Sequence, residues 1–330
     1  MPVTDPHPYA ALSPDTVLDA VEHVGYCPDG HLLALNSYEN RVYQVGIEGS
    51  VPLIAKFYRP ARWSDEAVHE EHDFAAALAE AEIPVVAPLR DDHGDSLFRH
   101  AGFRFALFPR RGGRTPDLDD PDHLEWLGRY LGRIHQLGAA RDFVHRPRLD
   151  VDGYAGTAAR LLLEGGWLPL ELAGRYRAVT EALLEECRRA FGGTERVRWI
   201  RLHGDCHPGN ILWTDAGPHF VDLDDCRMGP AIQDLWMLLS GNRPERALQL
   251  TYLREGYETF HALEPRELAL IEPLRALRMI HYAGWLARRW DDPAFPLAFP
   301  WFGTPQYWHD HVASLEVQLG ALNEPALPLL

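Results

Sequence analysis

The spacing of apolar and polar positions divides the chain into two regimes. SPDTVLDAVEHV, at 13–24, carries apolar residues at helical intervals behind a Ser-Pro-Asp start and predicts a helix. From about Leu33 to Tyr58 the period changes. RVYQVGI and VPLIAKFY are β-branched and aromatic, and IEGS between them reads as a turn. SDEAVHEEHDFAAALAEAE, at 64–82, predicts a long helix with Ser64 as cap and acids in its first turn. IPVVAPL and GFRFALFP then predict two further strands. PRRGGR, at 109–114, breaks the pattern as a hinge, and beyond it the chain turns helical. Helices are predicted at 123–138, at 170–191, over QDLWMLLS, ERALQLTYLREGYETF and ELALIEPLRALRMIHYAGWLARRW, and near 308–321, with a β-containing insert at 197–224. The predicted class is α+β and bilobal: a β-rich N-lobe over 1–108, the hinge, and a mostly helical C-lobe over 115–330.

Composition narrows the function classes. A net charge of -16 argues against a general nucleic-acid binder, because neutralising phosphates takes clustered cations. No apolar run approaches 18 residues, so no membrane helix is expected. MPVTDPHPYAAL lacks a basic segment followed by an apolar core, so no secretory leader is expected and the cytoplasm is the expected compartment. Cys27, Cys187, Cys206 and Cys226 are dispersed without a CxxC pair, as for reduced thiols. Of 32 Lys and Arg residues, 31 are arginine and one, Lys56, is lysine. A codon bias toward arginine explains its rarity. Its address, inside an apolar strand, is the informative part.

The densest chemistry lies in RLHGDCHPGNILWTDAGPHFVDLDDC, residues 201–226. ILW and HFVDL read as two strands joined through Thr214–Pro218. With Asp-Ala-Gly as a three-residue loop, 213 pairs with 219, 212 with 220 and 211 with 221, which sets Asn210 opposite Asp222. Directly opposed side chains share a face, with Cβ atoms roughly 4.5–5.5 Å apart. An amide oxygen and a carboxylate so placed suit one hard cation, Mg²⁺, which keeps water and phosphate for its other ligands. Asp205, five residues before Asn210, is positioned in sequence to take a proton from an attacking hydroxyl. Protein kinases use the same base-to-asparagine spacing before a metal-binding hairpin, and His203 stands where they carry the loop histidine. His203, Asp205, Cys206, His207 and Cys226 match no common zinc spacing. Asp234, an acid on an apolar helix, is expected to hydrogen-bond the catalytic-loop backbone.

Lys56 then reads as the strand lysine that contacts nucleotide phosphates, held by a glutamate of the following helix. Glu71 is the chosen partner because Phe74 and Leu78 follow it at i+3 and i+7; Glu70 is the alternative. No G-x-G-x-x-G stands between the first two strands. LNSYENRVYQV occupies that place, with Ser37, Asn40 and backbone amides as candidates to cover the phosphates. Adenine is expected in the interlobe cleft against the Phe108–Arg111 stretch, with Phe108 and Arg110 among its neighbours.

HGDCHPGN with VDLDD resembles the aminoglycoside phosphotransferase and choline kinase branch of the protein-kinase-like fold. LNSYENRVYQ, KFYRPARW, EEHDFAAAL, GRYLGRIHQ, LHGDCHPGNILW, FVDLDDCRMGPAIQDLWMLL, IEPLRALR and WLARRWDDPAFP together resemble, more narrowly, the stress response kinase family of Gram-negative bacteria, over about residues 33–300. The resemblance implies a cytoplasmic ATP- and Mg-dependent kinase that phosphorylates Ser/Thr in proteins and in itself during envelope and oxidative stress. It further implies Asp205 as the catalytic aspartate, Asn210 and Asp222 as Mg²⁺ ligands and Ser37 as the phosphate-loop serine. About ten residues separate Asp222 from the helix near Gln233, too few for a long activation loop, a trait shared with kinases of small alcohols such as choline or amino sugars. On the residues alone both acceptor classes stand; the resemblance favours a protein. A Mg-ATP sensor without transfer is the third class, and the complete Lys/Asp/Asn/Asp set speaks against it. The expected state is a monomer with no nucleic-acid or membrane partner.

Overall fold

The structure is a computed structural model that describes residues 7–193 and 197–329. By its own contacts the chain falls into two compact units. One comprises the chain up to Asp117 with two later insertions, Phe143–Arg146 and Asp205–Cys226; the other comprises Leu118–Asp142, Pro147–Gly204 and Arg227 onward.

The first unit is built on a five-stranded antiparallel sheet in the order β1-β2-β3-β5-β4. Its strands are β1 Pro28–Ala34, β2 Arg41–Ile47, β3 Leu53–Phe57, β4 Phe98–His100 and β5 Phe103–Pro109. Helix α1, Pro14–His23, is capped by Ser13 Oγ and buries Val17, Ala20 and Val21. Strand alternation sends Leu53, Ala55 and Phe57 into one core with these α1 residues, Val45, Phe103, Phe105 and Leu107. On the other side Tyr58, Ala106 and Phe108 cluster with Val68 of α2, Asp65–Glu80, which Ser64 caps. Lys56, between Ala55 and Phe57, points to this second face.

Two expectations for the strands of this sheet fail. IPVVAPL is not a strand: Pro84 and Pro88 have no N–H to donate, and the segment makes only an isolated bridge from Val85 to Phe220. The missing strand is β4, three residues long. β1 begins at Pro28, earlier than the apolar pattern announces, because five of its seven residues are exposed on a sheet edge.

The second unit is helical. It contains α3 Pro121–Gly138, α4 Thr157–Glu164, α5 Leu170–Gly192, and then α6 Ile232–Trp236, α7 Arg243–Tyr257, α8 Ile271–Arg288, α9 Ala294–Ala298 and α10 Pro305–Ala321. A short antiparallel pair, β6 Ile200–Leu202 with β9 Arg227–Gly229, frames the loop that leads to His203. α3 and α7 meet backbone to backbone: a Cβ at Gly128 would lie 2.0 Å from the Leu253 carbonyl oxygen, and one at Gly256 equally close to that of Glu125. α4, entered through a π-helical turn at Asp152–Gly156, has no counterpart in the sequence expectations. Two glycines and the lack of any side-chain cap hide its start.

Candidate active site

Lys56 lies on the central strand β3, paired with Val42 on one side and Ala106 on the other. Its side chain is 7% exposed and ringed by acids: Asp222 Oδ1 at 3.0 Å, Glu71 Oε1 at 3.3 Å and Asp224 Oδ1 at 3.5 Å. Burial alone would lower the ammonium's pKa. Asp222, Asp224 and Glu71 overturn that and raise it well above the ordinary lysine value. Beneath it runs a buried chain in which Tyr58 Oη meets His72 Nε2 at 2.7 Å and His72 Nδ1 meets Ser96 Oγ at 2.8 Å.

Glu71 belongs to the buried stripe of α2 with Ala67, Val68, Phe74, Ala75 and Leu78, which explains how a glutamate reaches a core-facing lysine. Glu70 points elsewhere. Its carboxylate accepts the backbone N–H groups of Val144 at 2.6 Å and of His145 and Arg146 at 2.8 Å.

The hairpin departs from its expected register. β7, Ile211–Thr214, pairs with β8, Gly217–Phe220, as 211↔220, 212↔219, 213↔218 and 214↔217. The loop is thus Asp215-Ala216, one residue shorter than expected, closed by Thr214 Oγ1, which donates to the Gly217 carbonyl and accepts from Ala216 N–H. The residue opposite Asn210 is therefore Val221, whose N–H donates to the Asn210 carbonyl at 3.0 Å. Asp222 is not a cross-strand neighbour on a continuing strand. It sits in the left-handed region, at φ 60° and ψ 64°, where the pleat ends and alternation no longer governs its direction. Such a conformation costs about 1–3 kcal/mol in a non-glycine residue, and aspartate tolerates it better than most.

Asp205 and Asn210 are joined directly: Asn210 Nδ2 donates to the Asp205 carbonyl at 2.9 Å. Asp205 Oδ2 lies 3.6 Å from His207 Nε2. Just upstream, Asp234 on α6 accepts N–H from His203 at 2.8 Å and from Gly204 at 2.9 Å, the backbone role expected of it. Gly204 takes φ +85°, which the glycine permits. Asp234 is also fixed by His135 Nε2 at 3.0 Å, whose Nδ1 meets Tyr257 Oη at 2.9 Å. His203 itself is buried at 1% exposure.

In the β1–β2 loop, Ser37 Oγ donates to the Asn40 carbonyl at 3.1 Å. Asn40 is buried; its amide donates to Asp224 Oδ2 at 3.1 Å and its oxygen accepts from Arg59 N–H at 3.1 Å, which fastens the loop to the acidic segment. Phe108 sets its ring edge-on to His72 at 6.4 Å, and Arg110 Nε donates to Gln44 Oε1 at 2.7 Å. Three residues at this site were not singled out from the sequence. Arg62 pairs with Asp224 and Asp225, Asp224 is 3% exposed, and Arg146 pairs with Glu71 at 2.6 Å. DLDD supplies a signal for Asp224. Two arginines among 31 supply none.

Three cations, Lys56, Arg62 and Arg146, thus face four carboxylates, Glu71, Asp222, Asp224 and Asp225. Burial would raise the Asp224 carboxyl, but Arg62 first and Lys56 next hold it below the usual carboxylate range. Asp222 is 52% exposed, and Asn210 commits its nitrogen to Asp205, which turns its oxygen away from that bond. Carboxylate and amide oxygen form a hard donor set that fits Mg²⁺. Among the described residues no group of three or more His, Cys, Asp or Glu is placed to hold a metal, so an ion here would complete its shell with water and phosphate.

The family described as "Phosphotransferase enzyme family" matches residues 31–271. Stress response kinase A of Escherichia coli O157:H7 is 46% identical over 321 residues, spanning 97% of each chain. The serine/threonine protein kinase RdoA of Salmonella typhimurium LT2 is 45% identical over 324 residues, again 97% of each. Among solved structures, amicoumacin kinase hAmiN in complex with AMP-PNP, Ca²⁺ and Ami superposes with a TM-score of 0.71 at 18% identity, covering 97% of this chain and 94% of that one. A choline kinase from Cryptosporidium parvum gives 0.63 at 12% identity, covering 94% and 96%. These likenesses show the α+β, protein-kinase-like fold. The chain is a kinase of the phosphotransferase enzyme family and belongs to the group that includes stress response kinase A.

Proposed function

We propose that the protein transfers the γ-phosphoryl group of ATP, with Mg²⁺, to Ser/Thr hydroxyls of proteins, itself included, acting in the cytoplasm in the stress response for which its relatives are named. The supporting observation is the convergence on one solitary lysine of Glu71 and Asp222, with Asp205 tied to Asn210 next to the same hairpin. Lys56 neutralises phosphate oxygens, as a compact ammonium does and a planar guanidinium does not. Asn210 and Asp222 would hold Mg²⁺, which when bound supplies charge neutralisation of the phosphates. Asp205 accepts the proton of the attacking hydroxyl, and positioning with electrostatics supplies most of the rate. Adenine sits beside the Phe108–Arg111 stretch, and Ser37 covers the phosphates. The protein works as a monomer without nucleic-acid or membrane partners; among the described residues no helix is long and apolar enough to cross a membrane.

One observation favours a second reading, a kinase of small alcohols. Residues 223–231, between Asp222 and α6, hold a 3-10 turn and β9 in place of a long activation loop. A label-transfer assay from γ-phosphate-labelled ATP separates the two. Purified protein is offered a generic Ser/Thr protein and a panel of alcohols including choline and amino sugars. Label on the protein acceptor and on the enzyme supports the first reading. Saturable turnover confined to one alcohol establishes the second, and no transfer to any acceptor refutes both.

A further inference from the structure

Phe143–Arg146 groups by its contacts with the sheet unit, although the chain on either side groups with the helical one. Glu70 grips this stretch through three consecutive backbone N–H groups, and Phe143 sets its ring edge-on to Phe74 at 5.5 Å. The grip delivers Arg146 into the interior beside α2. There its guanidinium has four partners. Nε donates to the Ala67 carbonyl at 2.7 Å, Nη1 to the Asp224 carbonyl at 2.6 Å and Nη2 to Glu71 Oε2 at 2.6 Å, while the plane lies 4.6 Å from the Trp63 ring centroid.

Resting on the reading of Lys56, Glu71 and Asp222 as phosphate- and metal-handling groups, we propose that Arg146 is a positioning residue for phosphoryl transfer. It fixes the Glu71 carboxylate and the Asp224 carbonyl, two residues after Asp222, in a single arrangement and so sets where Lys56 stands. Glu71 divides its two oxygens, Oε1 to Lys56 at 3.3 Å and Oε2 to Arg146 at 2.6 Å. Lys56 has Asp222 at 3.0 Å and Asp224 at 3.5 Å as competing anions, so a glutamate on a flexible stem, held by the lysine alone, would follow the lysine instead of directing it. A planar fork with fixed donor directions supplies the missing constraint. Through Ala67 it refers that constraint to the first turn of α2, and through the Asp224 carbonyl to the turn that carries Asp222. A buried cation serving only stability is a poor investment, since apolar replacements of such pairs are often as stable. One of its acceptors is the carboxylate that holds Lys56, and another is a carbonyl of the turn that follows Asp222.

The test uses the full chain and the variants Arg146→Met, Arg146→Lys, Glu71→Gln and Arg146→Met/Glu71→Gln, with kcat and KM for ATP from label transfer and Mg-AMP-PNP affinity from calorimetry. Both Arg146 variants are expected to lose kcat/KM by on the order of 10²-fold, largely through KM for ATP and with weakened AMP-PNP binding; lysine fails because it keeps charge but not the fork. The double variant is expected to lose far less than the product of the two single losses, because Arg146 acts largely through Glu71. Should Arg146→Met strand the Glu71 charge and fail to fold, the double variant removes that charge and carries the comparison. Wild-type kcat/KM in either Arg146 variant, or multiplicative losses in the double, overturns the proposal. A wild-type chain that neither binds AMP-PNP nor transfers label refutes the kinase site itself, and the role of Arg146 with it.

Discussion

Lys56 Nζ stands closer to Asp222, at 3.0 Å, than to Glu71, at 3.3 Å. The ammonium thus occupies itself with the acid proposed to hold the metal. Were Asp222 to hold Mg²⁺ with Asn210, the ion would supply that neutralisation, and Lys56 would be left to pair with Glu71 and with phosphate.

Replacing Lys56 by arginine keeps the charge but not the compact donor. Lys56→Arg is expected to lower kcat/KM for ATP by about 10²–10³-fold, close to the loss in Lys56→Met. Initial rates over an ATP series check this, and an arginine variant near wild type would remove the special role of the lysine. Since its neighbours hold the Lys56 pKa well above the ordinary value, the rate profile should show no basic limb from this group up to the normal lysine range, near pH 10.

Asp205 and Asp222 should separate by readout. Asp205→Ala is expected to lose about 10²–10⁴-fold in transfer while nucleotide affinity holds; Asp222→Ala should lose Mg-dependent nucleotide binding as well. Calorimetry with AMP-PNP at fixed Mg²⁺ and a label assay on the same preparations decide it. Transfer at wild-type rate by Asp205→Ala would dismiss the base assignment.

Asp234 accepts from His135, His203 N–H and Gly204 N–H with no exposure of its side chain. Asp234→Ala strands all three donors, and a loss of about 3–5 kcal/mol in unfolding free energy is expected, read from urea midpoints. A change below about 1 kcal/mol would mean that the loop finds other acceptors.

The buried His72 gives a pH signature. Burial, aided by the Lys56 charge, lowers its pKa from 6.5 to about 3. An unfolded chain takes up a proton below the ordinary value that the native ring refuses until the lower one. Stability from this group is therefore whole above about pH 6.5 and falls as pH drops through the window, by up to about 1.4 kcal/mol per unit. His72→Gln should flatten the acid limb of the unfolding curve between about pH 6 and 4 relative to wild type (His311, lowered to about 4, keeps its own contribution in both). Parallel curves would refute the assignment.

What the residues disclose is uneven, for physical reasons. Period and capping announce α1, α2, α3 and α5 because an amphipathic stripe and a Ser, Asp or Pro start are local facts. Glu71 over Glu70 follows from the same stripe. The hairpin register does not: a two-residue and a three-residue loop fit TDAG equally well until Thr214 closes the shorter one. Arg146 is illegible, since its role depends on a four-residue excursion with no pattern of its own and on a residue type the chain uses everywhere.

The solitary ammonium also makes the protein its own reporter. All other cationic side chains being guanidinium or imidazole, every acyl group on a side-chain amine, whether from acetylation, an activated ester or an acyl-phosphate probe, marks position 56. A lysine-directed endoprotease likewise has one internal bond to cut, within β3, where the side chain is 7% exposed. Scission or labelling at that bond measures opening of the sheet, and protection from it by a nucleotide measures occupancy.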